Sequence, residues 1–337
     1  MTPAPRTLVG MAVFVAPCVA STEYLRDGIV WPIRITEPAS PSEFVERYEH
    51  FQAMSMQHRG RPTYIKPHLL STWLDSIAHS PAVLDAVEAA IGPDILLWSS
   101  DWAVKPANQS QAGYAAGGIP WHQDSTYWSL NTSECVSVYF ALSPSKRANG
   151  AMQAVRGSHV RGSLGAVTYD GDPMLAVIGG IRNSTGENAF NLDYHLNAEG
   201  EAALGANGSA ADMIELEAGE ASMHSVDLLH GGGPNTSPNA RVAFVMRFVS
   251  SHTRCVTPVH DSAMLVRGNP PAAVHWTFEP RPSEDFSPDA LAALARAVDG
   301  TPSGFGDREQ TPAYTNPLGA PPIVPEALAP APRHEEL

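Results

Sequence analysis

The sequence has little that could staple it together or anchor it to a membrane. Its three cysteines, Cys18, Cys135 and Cys255, are odd in number, widely spaced and without a C-x-x-C pair, which argues against a disulfide framework or a zinc ribbon. A reducing, cytoplasmic compartment is the expectation. Basic residues are scarce as well: 21 Lys and Arg stand against 35 Asp and Glu, for a net charge of −14 at neutral pH. Such a surface repels nucleic acid and anionic lipid alike, and no basic run offsets it. No apolar segment is long enough to span a bilayer. Residues 1–20 contain an apolar run that loosely imitates a secretory leader, but its positive region is weak and Pro17 interrupts it, so it is read as an N-terminal segment. G-x-S-x-G, P-loop and dinucleotide fingerprints are missing too, which leaves nucleophilic hydrolysis and nucleotide chemistry without support.

What is present describes a β-rich domain. A hydrophobic fraction of 43% with 17% charged residues is ordinary for a globular chain, and 27 Gly with 30 Pro suit many short strands joined by turns. Ser40-Pro41, Ser80-Pro81 and Ser287-Pro288 each predict a helix start, a serine N-cap followed by proline, and 67–80 has helical periodicity as well. Between them, residues 95–106, 134–143, 151–157, 220–230 and 241–250 read as strands, with Asn149-Gly150 as a hairpin turn between the second and third. The fold expected is mainly β with flanking helices around a double-stranded β-helix, a jelly-roll, cupin-like core. The domain expected covers 21–300, with an irregular lid insertion at 162–212 and a Pro/Ala-rich tail at 301–337.

The most informative stretch is GGIPWHQDSTYW at 117–128. In an extended segment His122 and Asp124, two apart, point to one face, so an imidazole and a carboxylate converge. The same pattern at His334-Glu335-Glu336 lies in a Pro/Ala tail that offers no pocket, so the motif alone decides nothing. A second histidine is needed. His224 and His230 are six apart in one expected strand, about 20 Å, so only one can share the ion. His230, at the strand end beside a Gly-rich turn, is chosen; His224 is left to packing. His159 reads as a turn or packing residue.

With these features in place, the sequence resembles the phytanoyl-CoA dioxygenase family of iron(II)- and 2-oxoglutarate-dependent oxygenases. WHQD at 121–124, NGAMQAVRGSH at 149–159 and LHGGGPN at 229–235 followed by Arg241 carry the resemblance, which covers about residues 25–250. Arg156 stands where the family usually has proline, and 162–212 diverges. The resemblance implies that Arg241 holds the distal carboxylate of 2-oxoglutarate, with Arg247, on the same strand face, as the backup. It also implies that Lys105 and Phe140 line the co-substrate pocket; Trp102, Tyr127 and Trp128 are read as pocket wall.

Two imidazoles and one carboxylate leave half the coordination sphere of iron(II) open, the arrangement of non-haem oxygenases. The resemblance accordingly implies iron(II) in the His122, Asp124, His230 site, 2-oxoglutarate and dioxygen as co-substrates, and oxidation of an unactivated C–H bond. Halogenating relatives of the scaffold carry a small residue at the carboxylate position, so Asp124 points to hydroxylation. The expected partner is a small-molecule substrate; a homodimer is compatible with the sequence. An acyl-CoA substrate would call for clustered basic residues, yet between 162 and 212 the only Lys or Arg is Arg182. A catalytically silent jelly-roll binding protein would gain nothing from a complete triad with its arginine.

Overall fold

A computed structural model of the chain describes residues 17–35, 40–109, 118–126, 128, 130–131, 134–168, 193–254, 261–270 and 275–299. Residues 1–16, Tyr127, 169–192 of the expected lid and the 301–337 tail lie outside the described residues.

The described helices are α1 (Pro17–Asp27), α2 (Phe44–Arg59), α3 (Thr72–Ala78), α4 (Pro81–Ile91), α5 (Ala198–Leu204) and α6 (Pro288–Asp299). All three Ser-Pro starts open helical structure. At the first, the Ser40 backbone N–H and hydroxyl both donate to the Glu43 carboxylate, at 2.7 and 2.8 Å, closing a single turn that runs directly into α2. That helix stops at Gly60, whose φ of 69° is the left-handed conformation glycine adopts without strain.

The strands are β1 (Ile29–Arg34), β2 (Ile95–Lys105), β3 (Ile119–His122), β4 (Cys135–Ala141), β5 (Met152–Ala154), β6 (Gly165–Thr168), β7 (Asp193–Leu196), β8 (Asp212–Ile214), β9 (Glu220–Ser225), β10 (His230–Gly232), β11 (Arg241–Ser250), β12 (Asp261–Arg267) and β13 (Trp276–Phe278). A major sheet runs β1-β9-β4-β11-β2-β12-β13, a minor one β3-β10-β5-β8, and β6 pairs with β7. Two facing sheets, antiparallel except for the β12–β13 pair, with helices outside make the expected jelly roll.

Strand alternation divides the major sheet into two chemistries. Val136, Val138 and Phe140 of β4 and Val242, Phe244, Met246 and Phe248 of β11 pack with Phe44, Tyr48, Leu74, Val87 and Leu294 of the helices. Each such side chain contributes about 1.5–3 kcal/mol on burial, so this helix-covered face holds the domain together. The alternate residues, Tyr139 and Ala141 of β4 with Ala243 and Val245 of β11, form a second cluster with Leu216 and Trp31 on the inner face. Arg241 and Arg247 share that parity.

Three expectations change. The segment 220–230 is two strands: β9 belongs to the major sheet, the chain turns at 226–229, and β10 belongs to the minor sheet. The apolar corner mimics continuing strand because Val226, Leu228 and Leu229 are each buried in a different cluster. Asn149-Gly150 closes no hairpin, since β4 pairs with β9 and β11 while β5 pairs with β8 and β10. The described flanks of 162–212 are regular: β6, β7 and α5, packed by Leu164, Leu196 and Leu204 onto Val155 and Leu229.

Candidate metal and co-substrate site

His122 and His230 are direct register partners on β3 and β10, and their ring centroids lie 4.2 Å apart. Each ring is fixed in the same way, with Nδ1 against the backbone carbonyl two residues earlier: Pro120 at 2.8 Å, Leu228 at 2.9 Å. A carbonyl only accepts, so Nδ1 carries the hydrogen and Nε2 presents its lone pair. Asp124, in the turn after β3, brings Oδ1 to 3.4 Å from His122 Nε2 and 3.9 Å from His230 Nε2. One ligand atom from each of the three residues lies within 4.8 Å of the others, the spacing one ion could bridge.

Burial alone would raise the Asp124 carboxyl, but His122, His224 and His230 outweigh it and hold it well below the ordinary carboxylate range. Burial, reinforced by His122, depresses His230 to about 3, so its imidazole is neutral at physiological pH. A carboxylate and neutral imidazoles are the protonation states that bind a divalent ion. The donor set therefore fits a ferrous ion.

The residues between and behind these groups keep them in place. Gln123 points away and grips both flanks, donating to the carbonyls of Gly162 (3.0 Å) and Asp227 (2.7 Å) and accepting from Leu164 N–H (2.7 Å). Ser158, from the GSH motif, accepts from the Leu229 N–H at 2.8 Å and so fixes the residue before His230. His159 lies apart, its Nε2 3.2 Å from the Leu25 carbonyl.

The sequence spacing placed His224 far from His230. With the chain turned at 226–229 the two rings are 4.7 Å apart, and His224 Nε2 is 3.7 Å from Asp124 Oδ2. Ser137 donates to that same oxygen at 2.9 Å. Neither residue is visible in a local motif; both follow from the register Ser137↔His224 on the inner face.

At the other end of that face stands a pair of cations. Arg241 and Lys105 are register partners, 2% and 3% exposed, and both donate to the Gly150 carbonyl; Lys105 also donates to Gly233 O at 2.5 Å. Gly150 has φ 72°, and a Cβ there would run into the Gly233 carbonyl, so the Asn-Gly turn serves to deliver this oxygen. Neither cation has a carboxylate within ion-pair distance among the described residues. Burial, then the Arg241 charge, lowers Lys105 to about 7. Two adjacent buried cations with no described counterion have the chemistry to receive an anion. Arg247 is different: its Nη1 is 3.0 Å from Asp101 Oδ2 and its guanidinium lies 5.3 Å from the Trp128 ring centre.

Between the metal cluster and the cations the inner face is polar and unsatisfied. Ser99, Tyr139 and Ser222 hydroxyls, both His224 nitrogens and Arg241 Nε are buried without a hydrogen-bond partner. The Arg241 guanidinium lies 5.5 Å from the Tyr139 ring centre. Two expected lining residues do not belong here. Phe140 turns the other way, its ring centroid 5.6 Å from Phe44, and Trp102 packs on Tyr48 at 4.8 Å and on Phe244. Tyr139, its neighbour, is the residue that faces the inner side beside Arg241. Trp128 stays on the inner side, edge-on to Trp98 at 5.6 Å. Phe140→Ala is accordingly expected to cost about 3–5 kcal/mol of stability in urea unfolding, while leaving co-substrate affinity of the folded protein unchanged.

Residues 39–243 match the phytanoyl-CoA dioxygenase family. A probable alpha-ketoglutarate-dependent hypophosphite dioxygenase from Stutzerimonas stutzeri is 28% identical over 178 residues, 51% of each chain. Ectoine dioxygenase from Streptomyces coelicolor is 23% identical over 199 residues, 57% of this chain and 60% of that protein. The chain thus spans little more than half the length of these curated relatives. The apo structure of the non-heme monooxygenase ThoJ superimposes with a TM-score of 0.67 at 26% identity, covering 86% of this chain and 99% of that one. Its nickel complex gives 0.62 at the same identity, with 83% and 96% covered. The matched span includes His122, Asp124, His230 and Arg241, and the chain belongs to the phytanoyl-CoA dioxygenase family.

Proposed function

We propose that the protein is an iron(II)- and 2-oxoglutarate-dependent dioxygenase that hydroxylates a C–H bond of a small metabolite. The observation that carries this reading is the pairing, on one enclosed inner face, of the His122, Asp124, His230 cluster with the uncompensated cations Arg241 and Lys105. His122, Asp124 and His230 would hold the metal, and Arg241 with Lys105 would neutralise the distal carboxylate of 2-oxoglutarate. Together, metal and co-substrate supply the oxidation: substrate, dioxygen and 2-oxoglutarate give hydroxylated substrate, succinate and carbon dioxide. Tyr139 and Ser222 offer hydroxyls along the path between the two ends, and Trp128 beside Trp98 walls the metal end against water.

The size of the substrate follows the curated relatives, whose names specify hypophosphite and ectoine, both small molecules. In this reading Arg241 and Lys105 are taken up by the co-substrate and Arg247 is paired with Asp101, so these inner-face cations leave none over for an acyl-CoA phosphate. The test is a screen of small-metabolite pools for substrate-dependent succinate release, with product mass recorded. A gain of one oxygen atom per succinate is the expected result; metal and 2-oxoglutarate binding without succinate release from any pool would favour a binding role.

Lys105 adds a pH signature. Its folded value, about 7, is below the ordinary lysine value, so the unfolded chain binds more protons between those limits. The burden of the buried charge is full below pH about 7 and is relieved as pH rises above it. A bound dianion reverses the preference and favours the ammonium. Binding of 2-oxoglutarate at pH about 8 is therefore expected to take up a fraction of a proton and to weaken with rising pH. Calorimetry in buffers of different ionisation enthalpy measures this, and Lys105→Met should abolish it; no uptake in the native protein would remove Lys105 from the anchor.

A further inference from the structure

We propose that Ser137 and His224 hold the Asp124 carboxylate so that only Oδ1 is presented to the metal position. The inference rests on the metal reading above and concerns how that carboxylate is kept from turning. Its two oxygens have separate neighbours: Oδ1 faces His122 Nε2 and His230 Nε2, at 3.4 and 3.9 Å, whereas Oδ2 faces Ser137 Oγ at 2.9 Å and His224 Nε2 at 3.7 Å. Asp124 sits in a single-turn segment, and rotation about its terminal torsion is soft, so without restraint either oxygen, or both, could reach an ion. A carboxylate that used both would occupy an additional coordination position, one that the co-substrate or dioxygen needs.

The restraining residues are well placed for the task. Ser137 is 1% exposed at the middle of β4, between β9 and β11, where every residue of the strand is buried. His224 is its register partner on β9, 4% exposed, with both ring nitrogens lacking a hydrogen-bond partner. Asp124 Oδ2 is the acceptor its Nε2 faces, and the hydroxyl and the imidazole close on that oxygen from adjacent strands. Both belong to the major sheet while His122 and His230 belong to the minor one, so the carboxylate spans the two sheets, with one oxygen assigned to each. Ser137 and His224 are thus positioning residues acting through Asp124.

The test uses cobalt(II) as a spectroscopic probe added to the metal-free full chain, read by titration and by the visible band that reports coordination. Ser137→Ala and His224→Leu are each expected to weaken cobalt binding about 10–100-fold and to alter the band, with folding checked by circular dichroism. Ser137→Thr, which keeps the hydroxyl, and His224→Gln, which keeps a donor, should recover most of the affinity. Because both residues act on one oxygen, the double variant should lose less than the product of the single losses. Should Ser137→Ala fail to fold, Ser137→Cys replaces it, with the same loss expected from its weaker donor. Folded variants that bind cobalt with native affinity and an unchanged band would overturn the positioning role while leaving the metal site standing. A native chain that binds no cobalt at one equivalent would overturn the metal reading and this inference with it.

Discussion

Replacing Asp124 by glycine is expected to weaken ferrous-ion binding by more than about 100-fold, exceeding the 10–100-fold typical of losing an outer partner of a metal ligand, and to abolish hydroxylation. The loss arises from charge as well as from a missing donor. Asp124 is the one carboxylate of the three-residue cluster found among the described residues, held ionised against burial by neighbouring imidazoles, so the variant leaves two nitrogen ligands for a dication. Ser137 Oγ and His224 Nε2 lose their acceptor at the same time. High chloride should restore part of the metal affinity, because a small residue at this position vacates room for an anionic ligand. Iron occupancy by metal analysis and product mass, each with and without chloride, report the result. A variant that kept its iron and hydroxylated at near-native rate would show that Asp124 is no ligand.

Arg241→Leu is expected to weaken 2-oxoglutarate binding by about 2–5 kcal/mol, the range for truncating one member of a buried charge pair, or roughly 30-fold to several thousand-fold in dissociation constant. Metal affinity should stay within about threefold. Stability distinguishes this outcome from a structural arginine. Arg241 is a buried charge whose register partner is another cation, so its removal relieves repulsion with Lys105 and should cost the metal-free protein less than about 1 kcal/mol. Arg247→Leu should do the reverse: it strands the Asp101 carboxylate and lowers stability while leaving co-substrate affinity largely intact. If Arg247→Leu gives the larger loss of 2-oxoglutarate affinity, the anchor is Arg247.

The parts of this account that were legible in the sequence are those encoded within a few residues. Helix starts after Ser40, Ser80 and Ser287 depend on a local Ser-Pro pair, with side-chain capping contacts at Ser40 and Ser287, and β2, β4 and β11 on β-branched and aromatic content, so they appear where the residues suggest. His122 and Asp124 converge as their spacing of two suggests, although Asp124 lies in the single turn after β3 and not in the strand. The resemblance placed Arg241 eleven residues after His230, and the structure puts it across from Lys105, with no carboxylate at ion-pair distance among the described residues.

What was not legible depends on where strands end and which face they show. The segment 220–230 keeps buried apolar residues through its corner because Val226, Leu228 and Leu229 fill three separate clusters, and hydrophobicity does not record a change of sheet. That single turn carries His224 from an expected 20 Å to a ring contact of 4.7 Å with His230. Phe140 and Tyr139 differ by one residue, which in a strand is the difference between the helix-covered core and the inner face. Trp102 could have been excluded by parity alone: it is three residues from Lys105 in β2, so the two occupy opposite faces. Ser137 required the β4–β9 register, a long-range pairing that no local pattern contains.

The most direct measurement is an anaerobic titration of the ferrous protein with 2-oxoglutarate, followed by visible absorption. The account predicts a weak charge-transfer band that saturates at one equivalent in the native protein and needs at least about 30-fold more 2-oxoglutarate in Arg241→Leu. A protein that binds ferrous ion yet gives no band at any 2-oxoglutarate concentration would contradict it.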